Sequence, residues 1–351
     1  MDREKMKAAV DRVYRDMAGT MAATLGFLGV KTGLFRALAG AGPLTAAQVA
    51  GRTGLHARYV EEWLKAMVAA RYVEYDPAAQ TFALSEEHAY LLAADGSDHD
   101  AGSLFTAIPA LVRAAPQVAA AFREGGGVPF SAYGEDNVDA FDAMNRGRYE
   151  LRLAQEWLAA VPDAVAALHA GGAALDIGCG VGRVSLALAR AFPAAQCVGA
   201  DLSEISIAKA QAAARAAGLD GRVRFSHGSL DALPPGERYA LITAMDCIHD
   251  LAAPVETLRA LHGRLAPGGV LFVMEPKVAD RLEDNRGDIA TMYYGFSVLH
   301  CMTQSLAAGG AGLGACLGAA GIERLVREAG FTRFEVLPIK SSVNLYYAVR
   351  Q

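Results

Sequence analysis

Excess positive charge is missing from this chain: 33 Lys and Arg stand against 38 Asp and Glu, a net charge of −5. Sequence-independent binding to nucleic acid depends on clustered Lys and Arg, so a large phosphate-binding surface is not expected. Cysteine is scarce as well. The five, Cys179, Cys197, Cys247, Cys301 and Cys316, are odd in number, scattered, and include no CxxC pair. That argues against a disulfide framework or a structural zinc finger and suits reduced thiols in a cytoplasm. Long apolar runs are lacking too. The stretch 21–30 stops at Lys31, too short for a bilayer, and the charged start MDREKMKAAVDRVYRD has no signal-peptide core behind it. A cytoplasmic protein, soluble and unprocessed, without membrane or nucleic acid as partner, is the expectation.

What is present is apolar bulk. With 351 residues and 53% hydrophobic content, two domains with real cores are expected. From Thr45 the chain reads as a short helix, a turn at Gly54, a longer amphipathic helix and the hairpin YVEYD-PAAQ-TFALS. This is the grammar of a winged helix-turn-helix. Its second helix sets Arg58 and Lys65 against Glu61 and Glu62, with Trp63, Leu64, Met67 and Val68 facing inward, so it makes a poor groove reader. Dimerisation and docking is the better role for residues 1–100. The segment GTMAATLGFLGVKTGLFRAL mixes small and large apolar residues at helical spacing, which suits close helix packing, including against a second subunit. Residues 101–165 read as a helical linker and cap.

From Ala173 strands alternate with helices: AALDIG, QCVGAD, VRFSHG, YALITAMD and VLFVMEP are the strands. Such alternation predicts an α/β, doubly wound, mostly parallel sheet for residues 166–351, Rossmann-like in plan. A final antiparallel hairpin, FEVLPIK with VNLYYAVR, would complete seven strands. The alternation is interrupted at about 277–320 by a Gly-, Ala-, Tyr- and Met-rich insertion. At the carboxyl edge of such a sheet this is the place for a substrate lid.

The stretch LDIGCGVGR places Gly178, Gly180 and Gly182 between a buried strand and a helix, where the chain turns sharply and a ligand can touch backbone. Arg183 stands where a dinucleotide fingerprint wants its third glycine, which disfavours nicotinamide binding. Asp176, just before the glycines, would suit a cationic ligand with an ammonium group. Asp201 ends the second strand at the distance at which this kind of domain places an acid on ribose hydroxyls.

These residues, with LAPGGVLFVMEP, resemble the class I S-adenosylmethionine-dependent methyltransferases over residues 170–351. The resemblance implies S-adenosylmethionine as the methyl donor. It also implies a cofactor site of Asp176, Gly178, Gly180, Gly182, Asp201, Leu202, Ser229, Leu230 and Asp246; Ser229 and Asp231 are alternatives for the adenine amine. A winged-helix domain ahead of this one is the layout of small-molecule O-methyltransferases, in which the substrate lies between two domains.

Two histidines sit in apolar surroundings. His249, in MDCIHDL, lies just past the fourth strand, and His300, in SVLHCMTQ, lies in the insertion. In O-methyltransferases of this layout a His-Asp pair at the first place includes the base that deprotonates a phenol. The sequence is also similar to 2-oxo acid C-methyltransferases of peptide-antibiotic biosynthesis, in which histidines at both places hold a metal. That resemblance implies His249 and His300 as ligands of Zn or Fe, with Asp250 either supporting a ligand from outside the metal's reach or relaying a proton. The metal would polarise the keto group and stabilise the enolate that attacks the methyl. Arg146 and Arg148 would neutralise a substrate carboxylate, and Tyr293 would line the pocket. Metal-assisted C-methylation of a 2-oxo acid by a homodimer is the favoured expectation. O-methylation with His249 as base, and a non-catalytic winged-helix regulator that senses S-adenosylmethionine, are the alternatives.

Overall fold

The computed structural model describes residues 1–94 and 96–351. They pack as two compact units, Met1–Pro109 with Ala143–Arg148, and Ala110–Asp142 with Tyr149–Gln351. The stretch expected to connect two domains is thus divided between them.

In the first unit α1 (Arg3–Lys31) starts at Asp2, whose carboxylate accepts from the amides of Glu4 and Lys5. It is followed by α2 (Leu34–Leu38), α3 (Ala46–Thr53), α4 (Ala57–Ala69), the antiparallel hairpin β1 (Glu74–Asp76) and β2 (Thr81–Ala83), and α5 (Glu86–Leu92). Thr45 and Gln48 form a reciprocal capping box at the start of α3, and Gly54 ends it at φ 67°. The buried face of α4 is Val60, Trp63, Leu64 and Met67, against Phe35 and Leu38 of α2. Gly29 of α1 is required by approach: a Cβ there would lie 2.5 Å from the rings of Phe35 and Trp63. The Trp63 indole donates to the Leu25 carbonyl at 2.8 Å. On the outer face of α4, Arg58 pairs with Glu62 and Lys65 with Glu61. The charge on this helix is spent locally, as the sequence indicated.

The second unit contains α6 (Ile108–Glu124) from Ala110 on and the two ends of α7 (Glu135–Arg152), whose middle, Ala143–Arg148, belongs to the first unit; then come α8 (Pro162–His169), β3 (Ala173–Ile177), α9 (Arg183–Ala191), β4 (Gln196–Asp201), α10 (Glu204–Ala216), β5 (Val223–His227), β6 (Tyr239–Met245), α11 (Pro254–His262) and β7 (Leu265–Pro276). The insertion is helical: α12 (Asp288–Phe296), a π-helical turn over Ser297–Cys301, and α13 (Met302–Ala307). It is followed by α14 (Gly318–Glu328), β8 (Arg333–Val336) and β9 (Asn344–Arg350). Residues Gly102–Glu124 are long and apolar enough to cross a membrane by length and composition. In the fold, Ala114 and Val118 of α6 are buried with Val128 and Tyr133 against Val298 and Leu299.

The sheet runs β5-β4-β3-β6-β7-β9-β8. The first five strands are parallel, and β9 and β8 close it antiparallel. Every residue of β6 is buried, as expected of a parallel strand covered on both faces. Chain order reverses at β3, flanked by β4 and β6, so a ligand crevice opens outside the carboxyl ends of these strands.

Candidate active site

At the end of β3 the three loop glycines all take left-handed conformations: Gly178 at φ 60°, Gly180 at 52° and Gly182 at 81°. Gly182 also lies under the Phe225 ring, 2.5 Å from where a Cβ would be, whereas a Cβ on Gly180 would meet nothing within 4 Å. The loop is therefore packed at Gly182 and open at Gly180, which leaves backbone accessible to a ligand.

Asp201, at the end of β4, accepts from Gly180 N and Ser203 N, both at 2.8 Å. Burial raises its pKa against the pull of these two amides. Its carboxylate thus joins the glycine loop to the turn in which Leu202 is 73% exposed. Ser229 and Asp231 are both exposed beyond β5, where the Ser229 hydroxyl accepts from Asp231 N at 3.4 Å. An open backbone at Gly180 beside a desolvated carboxylate and an exposed Leu202 fits a bound nucleoside with a free ribose edge.

Asp176 is placed differently from the expectation of an ammonium ligand. Only 2% exposed, it accepts from Ser185 Oγ at 2.9 Å and Thr243 Oγ1 at 2.8 Å. Burial pushes its pKa up to about 7 against the effect of those hydroxyls. Its visible task is to tie β3 to α9 and β6. Arg183, which spoiled the dinucleotide pattern, forms a two-pronged bond to Asp142 at 2.6 and 2.8 Å and reaches Glu150 at 3.0 Å. It ties the helix after the glycine loop to α7. Lys209 of α10 makes a second tie, to Glu135 and Asp139.

At the carboxyl end of β6 the chain bends through Asp246, a non-glycine residue at φ 59°, whose amide donates to the Met274 carbonyl at 2.7 Å. Backbone strain of this kind concentrates at functional sites. Here it turns the chain into the short 3-10 segment Ile248–Asp250. His249 is 3% exposed, with Nδ1 2.5 Å from Glu275 Oε2; Glu275 Oε1 accepts from Ile248 N at 2.9 Å. Asp250 Oδ1 lies 3.4 Å from His249 Nε2, and Cys301 flanks the ring. Burial alone would lower the His249 pKa, but the Glu275 and Asp250 carboxylates outweigh it and leave the imidazole well above its usual value. Glu275 was missed in the sequence. Its signal was a lone carboxylate closing the apolar strand VLFVMEP.

His300 lies on the π-helical turn, close enough to His249 and Asp250 for their charges to act on it. Its Nε2 is 3.2 Å from Asn137 Nδ2. Burial drives its pKa down to about 4, so the ring is neutral at physiological pH. Among the described residues, two sets of three metal-ligating atoms fall within 4.8 Å of one another: His249, Asp250 and Cys301, and Asp246, His249 and Glu275. His300 belongs to neither. The side chains as arranged do not fit the expected metal centre built on His249 and His300.

Of the weaker substrate candidates, Arg148 and Tyr293 have other partners, while Arg146 Nε is buried without one. Arg148 donates to Asn145 at 2.6 Å, and Arg146 lies beside Gly96 in the first unit. The Tyr293 hydroxyl donates to the Val343 carbonyl at 2.5 Å.

Comparison with known proteins follows this division of the chain. Residues 20–94 match the Rv2258c-like winged HTH domain, and residues 146–335 match the Methyltransferase domain family. Among curated proteins, the ubiquinone biosynthesis O-methyltransferase of Ruegeria pomeroyi is 37% identical over 97 residues, 27% of this chain and 38% of the relative. The chain therefore matches less than two fifths of that relative's length. Among solved structures, the mitomycin 7-O-methyltransferase MmcR aligns over 100% of both chains at TM-score 0.69 and 18% identity. Human N-acetylserotonin methyltransferase in complex with SAM aligns over 100% of this chain and 98% of its own, at TM-score 0.67 and 20% identity.

Proposed function

Because the chain belongs to the methyltransferase-domain family and is an S-adenosylmethionine-dependent methyltransferase with an N-terminal winged-helix domain, we propose that its acceptor is a hydroxyl oxygen of a small molecule. The observation that carries this reading is the His249–Glu275 pair at the carboxyl edge of the sheet. Glu275 occupies Nδ1 and fixes the ring, which leaves Nε2, 3.4 Å from Asp250 Oδ1, as the atom to take a proton. S-adenosylmethionine, when bound at Gly178, Gly180, Gly182 and Asp201, supplies an electrophilic methyl on sulfur. His249 then removes the hydroxyl proton while the oxygen forms its bond to the methyl carbon and the carbon–sulfur bond breaks. The proton stays on the imidazole, where Glu275 and Asp250 stabilise the cation. Methyl transfer asks little more than in-line placement of the acceptor, so positioning is the remaining task of the site.

The O-methyltransferases among the similar proteins support this acceptor class. Metal-assisted C-methylation of a 2-oxo acid has less support, because His300 is engaged with Asn137 and is absent from the ligand clusters around His249. The family match to a catalytic domain likewise removes the reason to treat the chain as a regulator only. The test is an assay with S-adenosylmethionine against phenols and 2-oxo acids, with and without a chelator, and products identified by mass spectrometry. O-methylated phenols formed at undiminished rate in chelator are expected. Chelator-sensitive C-methylation of a 2-oxo acid would overturn the reading.

We further propose a homodimer formed through α1. Residues 1–21 are exposed along their whole length, yet Met6, Val10, Val13, Met17 and Met21 recur at intervals of three and four, one apolar seam on one helix. A second copy offers the same seam and satisfies both.

A further inference from the structure

His300 and Asn137 are two buried polar side chains that His249's chemistry does not use. Asn137 is fully buried and His300 is 3% exposed. They touch each other at 3.2 Å, yet His300 Nδ1 and Asn137 Oδ1 have no hydrogen-bond partner. Buried polar atoms are rarely left unmatched, and where they are, a ligand is one of the few explanations. The chemistry of the pair is definite. With the Asn137 amide donating to Nε2, a neutral His300 carries its proton on Nδ1, so the pair offers a free donor on the ring and a free acceptor on the amide oxygen. Rotating the amide by half a turn exchanges the two roles and still leaves one donor and one acceptor.

The surroundings are aromatic and favour a flat, uncharged ligand. The imidazole is faced by Phe130 at 5.8 Å, Tyr133 at 4.7 Å and Phe141 at 4.8 Å between ring centroids. The Tyr133 hydroxyl is spent on the Leu299 carbonyl at 2.5 Å. Asp250 acts on both Tyr133 and His300 as a negative charge, and His249 acts on His300 as a positive one. A substrate carboxylate would have to give up its hydration among these rings, whereas a hydroxyl, ketone or amide would be matched.

We propose that Asn137 and His300 form a neutral donor–acceptor couple that holds a second, uncharged oxygen function of the acceptor, next to the hydroxyl that His249 deprotonates. This rests on the O-methylation reading and narrows it. The substrate class becomes a planar phenol or enol with a hydroxyl, ketone or amide beside the reacting oxygen. The couple is a positioning device: it acts on where the acceptor sits, and His249 acts on the proton.

The experiment is equilibrium binding to the full chain loaded with S-adenosylhomocysteine, using three probes. Salicylamide has a neutral carbonyl beside its hydroxyl, 4-hydroxybenzamide has it remote, and salicylate has a charged group beside it. Salicylamide is expected to bind about tenfold more tightly than either of the others, the discrimination one well-placed polar contact provides. His300→Phe and Asn137→Leu, both close in volume to the residues they replace, should each abolish that preference while S-adenosylhomocysteine affinity stays unchanged, which shows the variants to be folded. Equal binding of the three probes by the native protein, binding of none, or a preference that survives both substitutions would each overturn the proposal. Because binding is read without turnover, failure of O-methylation itself registers separately: the preference for salicylamide persists while no methylated phenol forms.

Discussion

His249 and Glu275 meet at 2.5 Å although 26 residues and a whole helix separate them in the chain. One is set by the strained bend after β6 and the other by the last turns of the neighbouring β7, so the parallel pairing of these strands builds the dyad.

Removing either partner should therefore separate chemistry from cofactor binding. His249→Ala should lower kcat by about 10²–10⁴, the usual range for a lost general base. Affinity for S-adenosylhomocysteine, measured by titration calorimetry, should be unaffected. A variant with native kcat would show that His249 is not the base.

Glu275→Gln makes a pH prediction. In the native protein the Glu275 charge, with that of Asp250, overcomes burial and raises the His249 pKa. Without it the imidazole loses its proton more readily, so the acid limb of the kcat/KM profile should move to lower pH. The plateau should fall as well, because a less basic imidazole is a poorer proton acceptor. An unmoved acid limb would disconnect Glu275 from the titration.

The glycine loop separates two costs. Gly182→Ala combines a left-handed φ, about 1–2 kcal/mol, with overpacking against Phe225, about 1–3 kcal/mol more, so thermal unfolding should come clearly earlier. Gly180→Ala faces open space and should cost only the backbone term, yet its methyl would stand where the cofactor approaches. The second variant should be the more stable and the weaker binder of S-adenosylhomocysteine.

Asp176 makes the stability depend on pH in an unusual direction. Its pKa is near 7 in the folded chain, against 3.8 for an ordinary aspartate carboxyl. Between those values the unfolded chain has lost the proton and the folded chain still holds it, so stability falls as pH rises from about 4 to 7 and levels off above that. At about 1.4 kcal/mol per unit, the contribution is on the order of 4 kcal/mol. Asp176→Asn should flatten this slope in denaturant titrations. A slope identical to the native one would assign it to other groups.

Val13 and Met17 test the proposed dimer. Replacing both by Lys should convert a dimer to a monomer in light scattering and leave the thermal transition of the methyltransferase unit in place. Unchanged mass would place the contact elsewhere.

Much of this was legible in the sequence because it is local. The glycine loop, Asp201, the capping residues around Thr45 and the alternation of strands and helices each declare themselves within a few adjacent positions. The polar wiring did not, because it crosses the chain without a period. Glu275 reads as the end of an apolar strand until β7 is paired with β6. Asn137 looks like one more polar residue in the helix EDNVDAFDAMNRGRYELR until the π-helical turn is folded onto it. Asp176 misled for the opposite reason: its place in the motif suggested a ligand, but only the fold reveals that Ser185 and Thr243 already hold it.

The π-helical turn over Ser297–Cys301 amounts to one extra residue in an otherwise α-helical insertion. Its consequence is a phase setting. Two consecutive side chains, His300 and Cys301, are both buried, one boxed by aromatic rings and the other beside the His249 imidazole. Deleting a single residue here would return the helix to ordinary α-helical winding and rotate everything beyond it by about 100°. Insertion length at this point can thus change which side chain meets the acceptor while β3 to β7 and the cofactor loop stay as they are.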